Sequence, residues 1–130
     1  MHGTRAGALA AMSIDTVLVL AFVIIGRASH HAGGGLAGTA GTAWPFLAGM
    51  AVGEVASRSW RRPAAPWPSG VCVWLGTVAI GMALRVVAGQ GTEVAFVAVA
   101  LGFLGLFLLG WRVIAGVARH PPRGSVSSRR

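Results

Sequence analysis

Two charged residues stand within long apolar stretches of the sequence. Asp15 is the only charge at positions 8–26, and Arg112 is the only charge at positions 94–117. On helices that rise about 1.5 Å per residue, Asp15 lies about 10 Å and Arg112 about 7 Å from the nearer end of its stretch. If the apolar stretch crosses a lipid bilayer, an aspartate about 10 Å from its end cannot reach water with its short side chain. It then needs a proton or a cationic partner. We therefore expect a buried ion pair between Asp15 and Arg112.

The carboxylate of such a pair also needs hydrogen-bond donors, and two threonines lie at suitable depths. Thr77 belongs to the third apolar stretch and falls at a similar level, while Thr16 directly follows Asp15. We expect Thr77 or Thr16 to donate a hydrogen bond to the Asp15 carboxylate in the interior of the protein.

The expected pair supports two interpretations. As a functional site, Asp15 would bind a proton or a cation, and its protonation would drive a conformational change, as intramembrane acids do in transporters. As a structural clamp, Arg112 would keep Asp15 ionised and tie the first helix to the last. The sequence favours the clamp, because a cationic partner is available.

A second polar group is expected at the other ends of the apolar stretches. It contains two arginines, a histidine and a glutamate, namely Arg27, His30, Arg85 and Glu93. Their positions predict a small outer polar cluster that would attract anions. His30 and His31 adjoin in a glycine-rich loop, without the helical spacing and further ligands of a zinc or haem site, so we predict no metal and no cofactor.

Two short patterns mark the second apolar stretch. Glu54 precedes Arg58 by four residues, the spacing of an ordinary ion pair on a helix surface, and we expect that pair. Gly49 and Gly53 form a GxxxG pattern that lets helix backbones approach closely. The pattern predicts helix packing, either within one chain or between two copies.

Four helices are needed to position these residues. Positions 94–111 hold 18 residues without a charge, enough for about 27 Å of helix against a hydrocarbon core of roughly 30 Å. We predict an all-α polytopic membrane protein, a four-transmembrane-helix bundle at 8–117. Its spans are 8–26, 38–56, 70–87 and 94–117, with a short cytoplasmic N-terminus at 1–7 and a disordered, basic cytoplasmic tail at 118–130.

Arginine placement predicts the orientation of these spans. Nine of the 11 arginines fall in the N-terminus, in the connection between the second and third spans, or at the fourth span's end and the tail; two fall on the other side. By the positive-inside rule, both termini are cytoplasmic. We expect a multi-pass protein of the bacterial cytoplasmic membrane, in contact with the lipid bilayer and, at its arginine-rich face, with anionic lipid.

Composition narrows the class of function. The chain is 55% hydrophobic and 11% charged, with a mean hydropathy of +0.71. Its net charge of +8 is not accompanied by a basic stripe interleaved with stacking aromatic residues, so we expect no nucleic-acid partner. The sequence shows no P-loop, dinucleotide-binding fingerprint or nucleophile elbow, so we do not expect an enzyme.

Several short motifs, taken in order, are similar to a known family. They are DTVLVLAFVIIGRASH from Asp15, AWPFLAG from Ala43, GMALR from Gly81, GQGTEVAF from Gly89 and LLGWR ending at Arg112. Together they resemble a bacterial membrane family, domain of unknown function 3054 (DUF3054). The resemblance implies a small four-helix integral membrane protein. The matching positions are Asp15, Gly26, Arg27, His30, Trp44, Pro45, Phe46, Arg85, Gly110, Trp111 and Arg112.

Two functions fit this sequence. The first is a small permease or transporter subunit, with Asp15 as the coupling acid and Arg27, His30 and Arg85 at an outer entry site. The alternative is a non-catalytic accessory or scaffold subunit that binds another membrane protein or anionic lipid. Four short helices also suggest a homo-oligomer or membership of a larger membrane complex.

Overall fold

The computed structural model of the chain describes residues 5–29 and 33–119, which form four long helices. The helices are α1 (Arg5–Ser29), α2 (Gly35–Ser57), α3 (Pro66–Val87) and α4 (Val94–Arg119). A short 3₁₀ turn, Ser59–Arg61, follows α2, and no strand occurs in the described ranges. Each of the four predicted spans lies within one of these helices. Residues 1–4 of the predicted N-terminus, His30 and His31, and positions 120–130 of the predicted tail lie outside the described residues.

Three helices are long and apolar enough to cross a membrane, and these are α1, α3 and α4 up to Ala118. At 23 residues α2 is similar in length but is not among these three helices, and its sequence contains glycines, threonines and Glu54. Its place in the bundle accounts for this composition. It packs against α1 on one side and α3 on the other, so small residues on α2 serve contact between helices.

The four helices pack in a ring. Each helix contacts its neighbour along the chain, and α4 closes the ring by packing against α1 as well as α3. Short connections between consecutive helices favour this antiparallel arrangement. The ring places residues of α1 and α4, which are distant in sequence, on one shared seam.

An aromatic cluster fills the centre of the ring. The Phe22 ring meets the Phe46 ring edge-on at 5.5 Å between centroids and lies 5.4 Å from the Phe103 ring. Phe96 completes the cluster, 6.0 Å from both Phe22 and Phe46. The surrounding buried core consists of aliphatic side chains and Met50, namely Val19, Val23, Ala43, Met50, Val73, Val78, Ala100, Leu104 and Leu108.

Glycines bring α2 and α3 into backbone contact. A methyl group placed on Gly76 would lie 2.8 Å from the Gly49 carbonyl oxygen, and one on Gly53 would lie 2.8 Å from Val73 Cα. Only glycine leaves room for backbones at this separation. The GxxxG pattern of Gly49 and Gly53 therefore contacts α3 of the same chain, which is the intramolecular alternative.

Candidate functional site

A bidentate ion pair joins α1 to α4. Arg112 Nη2 donates to Asp15 Oδ2 at 2.7 Å, and Arg112 Nη1 donates to Asp15 Oδ1 at 2.9 Å. Both side chains have 0% of their surface exposed. Two parallel charge-assisted hydrogen bonds fix orientation as well as distance. The structure thus brings together Asp15 and Arg112, as predicted from their positions within the apolar stretches.

The Arg112 guanidinium also binds two backbone carbonyls. Its Nε atom donates to the Pro63 oxygen at 3.0 Å, and Nη1 donates to the Leu108 oxygen at 2.9 Å. Pro63 belongs to the connection between α2 and α3. Gly70 makes room for the arginine, because a methyl group there would lie 2.8 Å from Arg112 Cδ. Arg112 therefore ties α4 to α1 and to this connection at once.

Trp111 provides the third donor to the aspartate. Its indole Nε1 donates to Asp15 Oδ1 at 2.9 Å, and its ring lies 4.6 Å from Arg112 Cζ, within the range of a cation–π contact. The prediction of a threonine donor is wrong. Thr77 donates to the Val73 carbonyl at 2.6 Å and Thr16 to the Met12 carbonyl at 2.8 Å. A hydroxyl has a single hydrogen, so each threonine is already committed to its own helix.

Glu54 lies inside the bundle. Only 5% of its surface is exposed, and its Oε1 atom accepts a hydrogen bond of 2.6 Å from the Ser59 hydroxyl. Its Oε2 atom has no hydrogen-bond partner among the described residues. The predicted surface pair with Arg58 is wrong, because α2 ends at Ser57 and the next residue, Arg58, adopts a left-handed conformation (φ 51°, ψ 50°) and is exposed. Glu54 therefore lies on the interior side of the last turn of α2.

Glu54 adjoins the ion pair. Its carboxyl group lies within electrostatic range of both Asp15 and Arg112. In the described ranges, Asp15–Arg112 is the only salt bridge. The buried charged site, as we call Asp15, Glu54, Trp111 and Arg112, therefore contains two acids and one cation.

The two arginines of the predicted outer cluster, Arg27 of α1 and Arg85 of α3, bind different partners. Arg27 donates to the Thr42 hydroxyl at 2.8 Å and to the Gly33 carbonyl. Glu93 is exposed and forms no ion pair with either arginine of the predicted cluster. His30 is outside the described residues. Arg27 thus holds the connection between α1 and α2 against α2.

Arg85 holds the connection between α3 and α4. Its Nε donates to the Gly91 carbonyl and its Nη1 to Gln90 Oε1, both at 2.8 Å. The Gln90 amide in turn donates to the Gly41 carbonyl of α2 at 3.0 Å. The guanidinium lies 4.6 Å from the Phe96 ring centroid. Arg27 and Arg85 therefore reach neighbouring positions of α2, and among the described residues neither of them pairs with Glu93.

The described residues offer no obvious metal site. No group of three or more histidine, cysteine, aspartate or glutamate side chains lies close enough to hold an ion within 5–29 and 33–119. The chemistry open to the buried charged site is that of two carboxyl groups and a guanidinium, which can hold or exchange a proton.

Three apolar helices of spanning length and an ion pair buried between α1 and α4 are features of a small polytopic membrane protein. The chain belongs to the protein family of unknown function DUF3054, whose family model matches residues 12–115. This confirms the resemblance seen in the sequence, and the matched segment contains the whole buried charged site. Comparisons with curated proteins and with solved structures gave no match.

Proposed function

We propose that this protein is a small permease, or a subunit of a transporter, of the bacterial cytoplasmic membrane, and that the buried charged site couples transport to an ion. The observation that carries the proposal is the completely buried Asp15–Arg112 pair with a second acid, Glu54, beside it. Ionisable groups within a membrane are costly, and those that are kept mark ion pathways and proton relays.

The proposal includes four spans with both termini in the cytoplasm. At 23 residues, α2 would measure about 34 Å, enough to cross a hydrocarbon core of roughly 30 Å. Its packing between α1 and α3 makes it one member of a ring of similar helices. Nine of the 11 arginines would then lie on the cytoplasmic side, which supports this orientation.

The site offers a physical route from charge to movement. Arg112 links α4 to α1 through Asp15 and to the α2–α3 connection through Pro63. A change in the charge of the site would weaken these links together, because each depends on the position of one guanidinium. The α1–α4 seam could then open, as alternating access requires. Since four helices enclose little space, we propose that copies of the chain, or a larger complex, complete the pathway.

Transient currents from proteoliposomes adsorbed on a solid-supported membrane test this proposal. A panel of amino acids, sugars, organic acids and inorganic ions is applied to the wild-type protein, to Asp15→Asn and to Glu93→Gln. At least one compound is expected to give a current with wild type and Glu93→Gln but not with Asp15→Asn. Equal currents from all three proteins would contradict a coupling role for Asp15, and size-exclusion profiles check that each is folded.

One observation favours the alternative, a non-catalytic accessory subunit. An open groove of about 660 Å³ lies at the α2–α3 connection, and the exposed arginines beside it suit an anionic lipid headgroup. The groove is lined by Ser57, Arg58, Trp60, Arg61, Arg62, Pro68 and Ser69. In this alternative the Asp15–Arg112 pair is a structural clamp. Native mass spectrometry at natural expression level would show a stoichiometric second protein if the chain is such a subunit.

A further inference from the structure

The two acids of the buried charged site differ in the number of hydrogen bonds that they accept. Asp15 accepts three hydrogen bonds from nitrogen donors, two from Arg112 and one from Trp111. Glu54 accepts one, from Ser59, and its Oε2 atom is buried without a partner among the described residues. A buried polar atom that lacks a partner is costly and needs an explanation.

The charges around Glu54 do not balance if Glu54 is ionised. From α1, Asp15 contributes a negative charge, and from α4, Arg112 contributes a positive one. The only charged residue of α3 is Arg85, at the far end of that helix, and the 3₁₀ turn contributes the neutral Ser59 hydroxyl, while its Arg61 is exposed. One buried cation would then face two buried anions.

The one cation is already committed to Asp15. Each of the three nitrogens of Arg112 donates to Asp15 or to a backbone carbonyl, and none donates to Glu54. An unpaired buried carboxylate normally takes up a proton instead of staying charged. A proton on Glu54 therefore explains both why Oε2 has no donor among the described residues and why a second cation is not needed.

We propose that Glu54 carries a proton on Oε2 and donates it to the Asp15 carboxylate, so that the buried charged site binds one exchangeable proton. Asp15 Oδ1 already accepts two hydrogen bonds and Oδ2 accepts one, which leaves Oδ2 with capacity for the new donor. With that proton the three groups are neutral in total: Glu54 uncharged, Asp15 negative and Arg112 positive.

The hydrogen-bond partner of Glu54 belongs to a segment beside the open groove at the α2–α3 connection. The Ser59 hydroxyl, which donates to Glu54 Oε1, stands between Arg58 and Trp60 in the sequence. Both of these neighbours line the open groove at the α2–α3 connection. Glu54 is thus one hydrogen bond from a segment that borders this groove.

This inference rests on the proposed function and makes it more specific, because it names the proton as the coupled ion. Glu54 is the residue that gains and loses the proton, and Asp15 is the fixed acceptor that Arg112 and Trp111 hold in place. Loss of the proton would place two anions beside one cation, which is a change in the charge of the site that holds the α1–α4 seam together.

Infrared spectroscopy of the protein in lipid nanodiscs tests the inference. The chain has only three acidic side chains, so the C=O stretch of a protonated carboxyl group can be assigned. At neutral pH the band is expected in wild type and in the matched control Glu93→Gln, and it is expected to vanish in Glu54→Gln. No band in wild type, or a band that survives in Glu54→Gln, would overturn the proposal.

Isotope labelling of the wild-type protein removes any dependence on the folding of a variant. The band must shift when glutamate carboxyl groups carry carbon-13 and must stay in place when aspartate carboxyl groups carry it; the reverse result would place the proton on Asp15 and contradict the proposal. A glutamate band without any transport would leave the proton site standing and count against the permease. Transport without a band would contradict the proton site alone.

Discussion

Arginines occupy both ends of the helix ring, and the protein uses them in opposite ways. At one end, Arg112 is completely buried and holds a carboxylate of another helix through two short hydrogen bonds. At the other end, Arg27 and Arg85 are half-buried and bind carbonyl, hydroxyl and amide oxygens of nearby loops and of α2. The difference shows that an ionic site in this fold is made by a buried acid, since arginine alone only fastens loops.

Replacing Arg112 by methionine should have the largest effect on stability. The change leaves Asp15 buried without a cation, which costs about 3–5 kcal/mol in comparable buried pairs. Arg85→Met is the matched control, and it should cost about 1 kcal/mol because its partners are neutral. Tryptophan fluorescence during heating in detergent measures both. Equal losses of thermal stability would show that the two ends of the ring do not differ as described.

Joint replacement of Asp15 by leucine and Arg112 by methionine should restore part of that loss. Two apolar side chains of similar volume remove the uncompensated charge, and contacting pairs commonly show coupling of about 0.5–3 kcal/mol. The double variant should therefore unfold at a higher temperature than either single variant. Strictly additive losses would show that the pair contributes no interaction energy.

Trp111→Phe should have a smaller effect. An aromatic side chain is kept, but the indole hydrogen bond to the charged Asp15 is lost, at a cost of roughly 1.5–3 kcal/mol. Trp74→Phe is the control, since the Trp74 indole donates to a neutral acceptor, the Leu101 carbonyl, at 3.0 Å. Thermal unfolding of the two variants compares a charged acceptor with a neutral one. A control that is destabilised more than Trp111→Phe would argue against Trp111 as a member of the site.

Thr42→Val, at the other end of the ring, should have the smallest effect. It removes the hydroxyl that accepts from Arg27, a partly exposed interaction worth about 0.5–1.5 kcal/mol. Thr39→Val is the control, because the Thr39 hydroxyl donates only to the Gly35 carbonyl of its own helix. Urea-dependent unfolding should separate the two variants by a small margin. A loss as large as that of Arg112→Met would make Arg27 part of an essential site.

The sequence predicts the helices and the central ion pair for a simple physical reason. Long apolar stretches in a bilayer must form helices to satisfy their backbone hydrogen bonds. Charges within such stretches are rare, and Arg112 is the cation whose expected depth in the bilayer best matches that of Asp15. The α2–α3 contact could also be predicted, from the GxxxG spacing of Gly49 and Gly53, although the spacing did not decide between one chain and two.

Glu54 and Trp111 escaped prediction because their roles depend on how a helix is rotated. In the sequence, Arg58 follows Glu54 by four residues, the spacing of an ion pair on a helix surface. In the structure, α2 ends before Arg58, which is left-handed, and Glu54 faces inward. Trp111 is a residue type that is common at membrane–water interfaces. Only the packing of α4 on α1 directs its indole to Asp15. Two signals in the sequence pointed to Trp111, namely its position directly before Arg112 and its place among the positions that match the family.

A pH jump applied to proteoliposomes on a solid-supported membrane, with no transported compound present, tests the central claim most directly. If the buried charged site exchanges a proton at Glu54, wild type and Glu93→Gln will show a brief charge movement as the proton binds. Glu54→Gln, which keeps the shape of the side chain but cannot ionise, will show none. A silent wild-type protein, or a charge movement that persists in Glu54→Gln, would contradict the account.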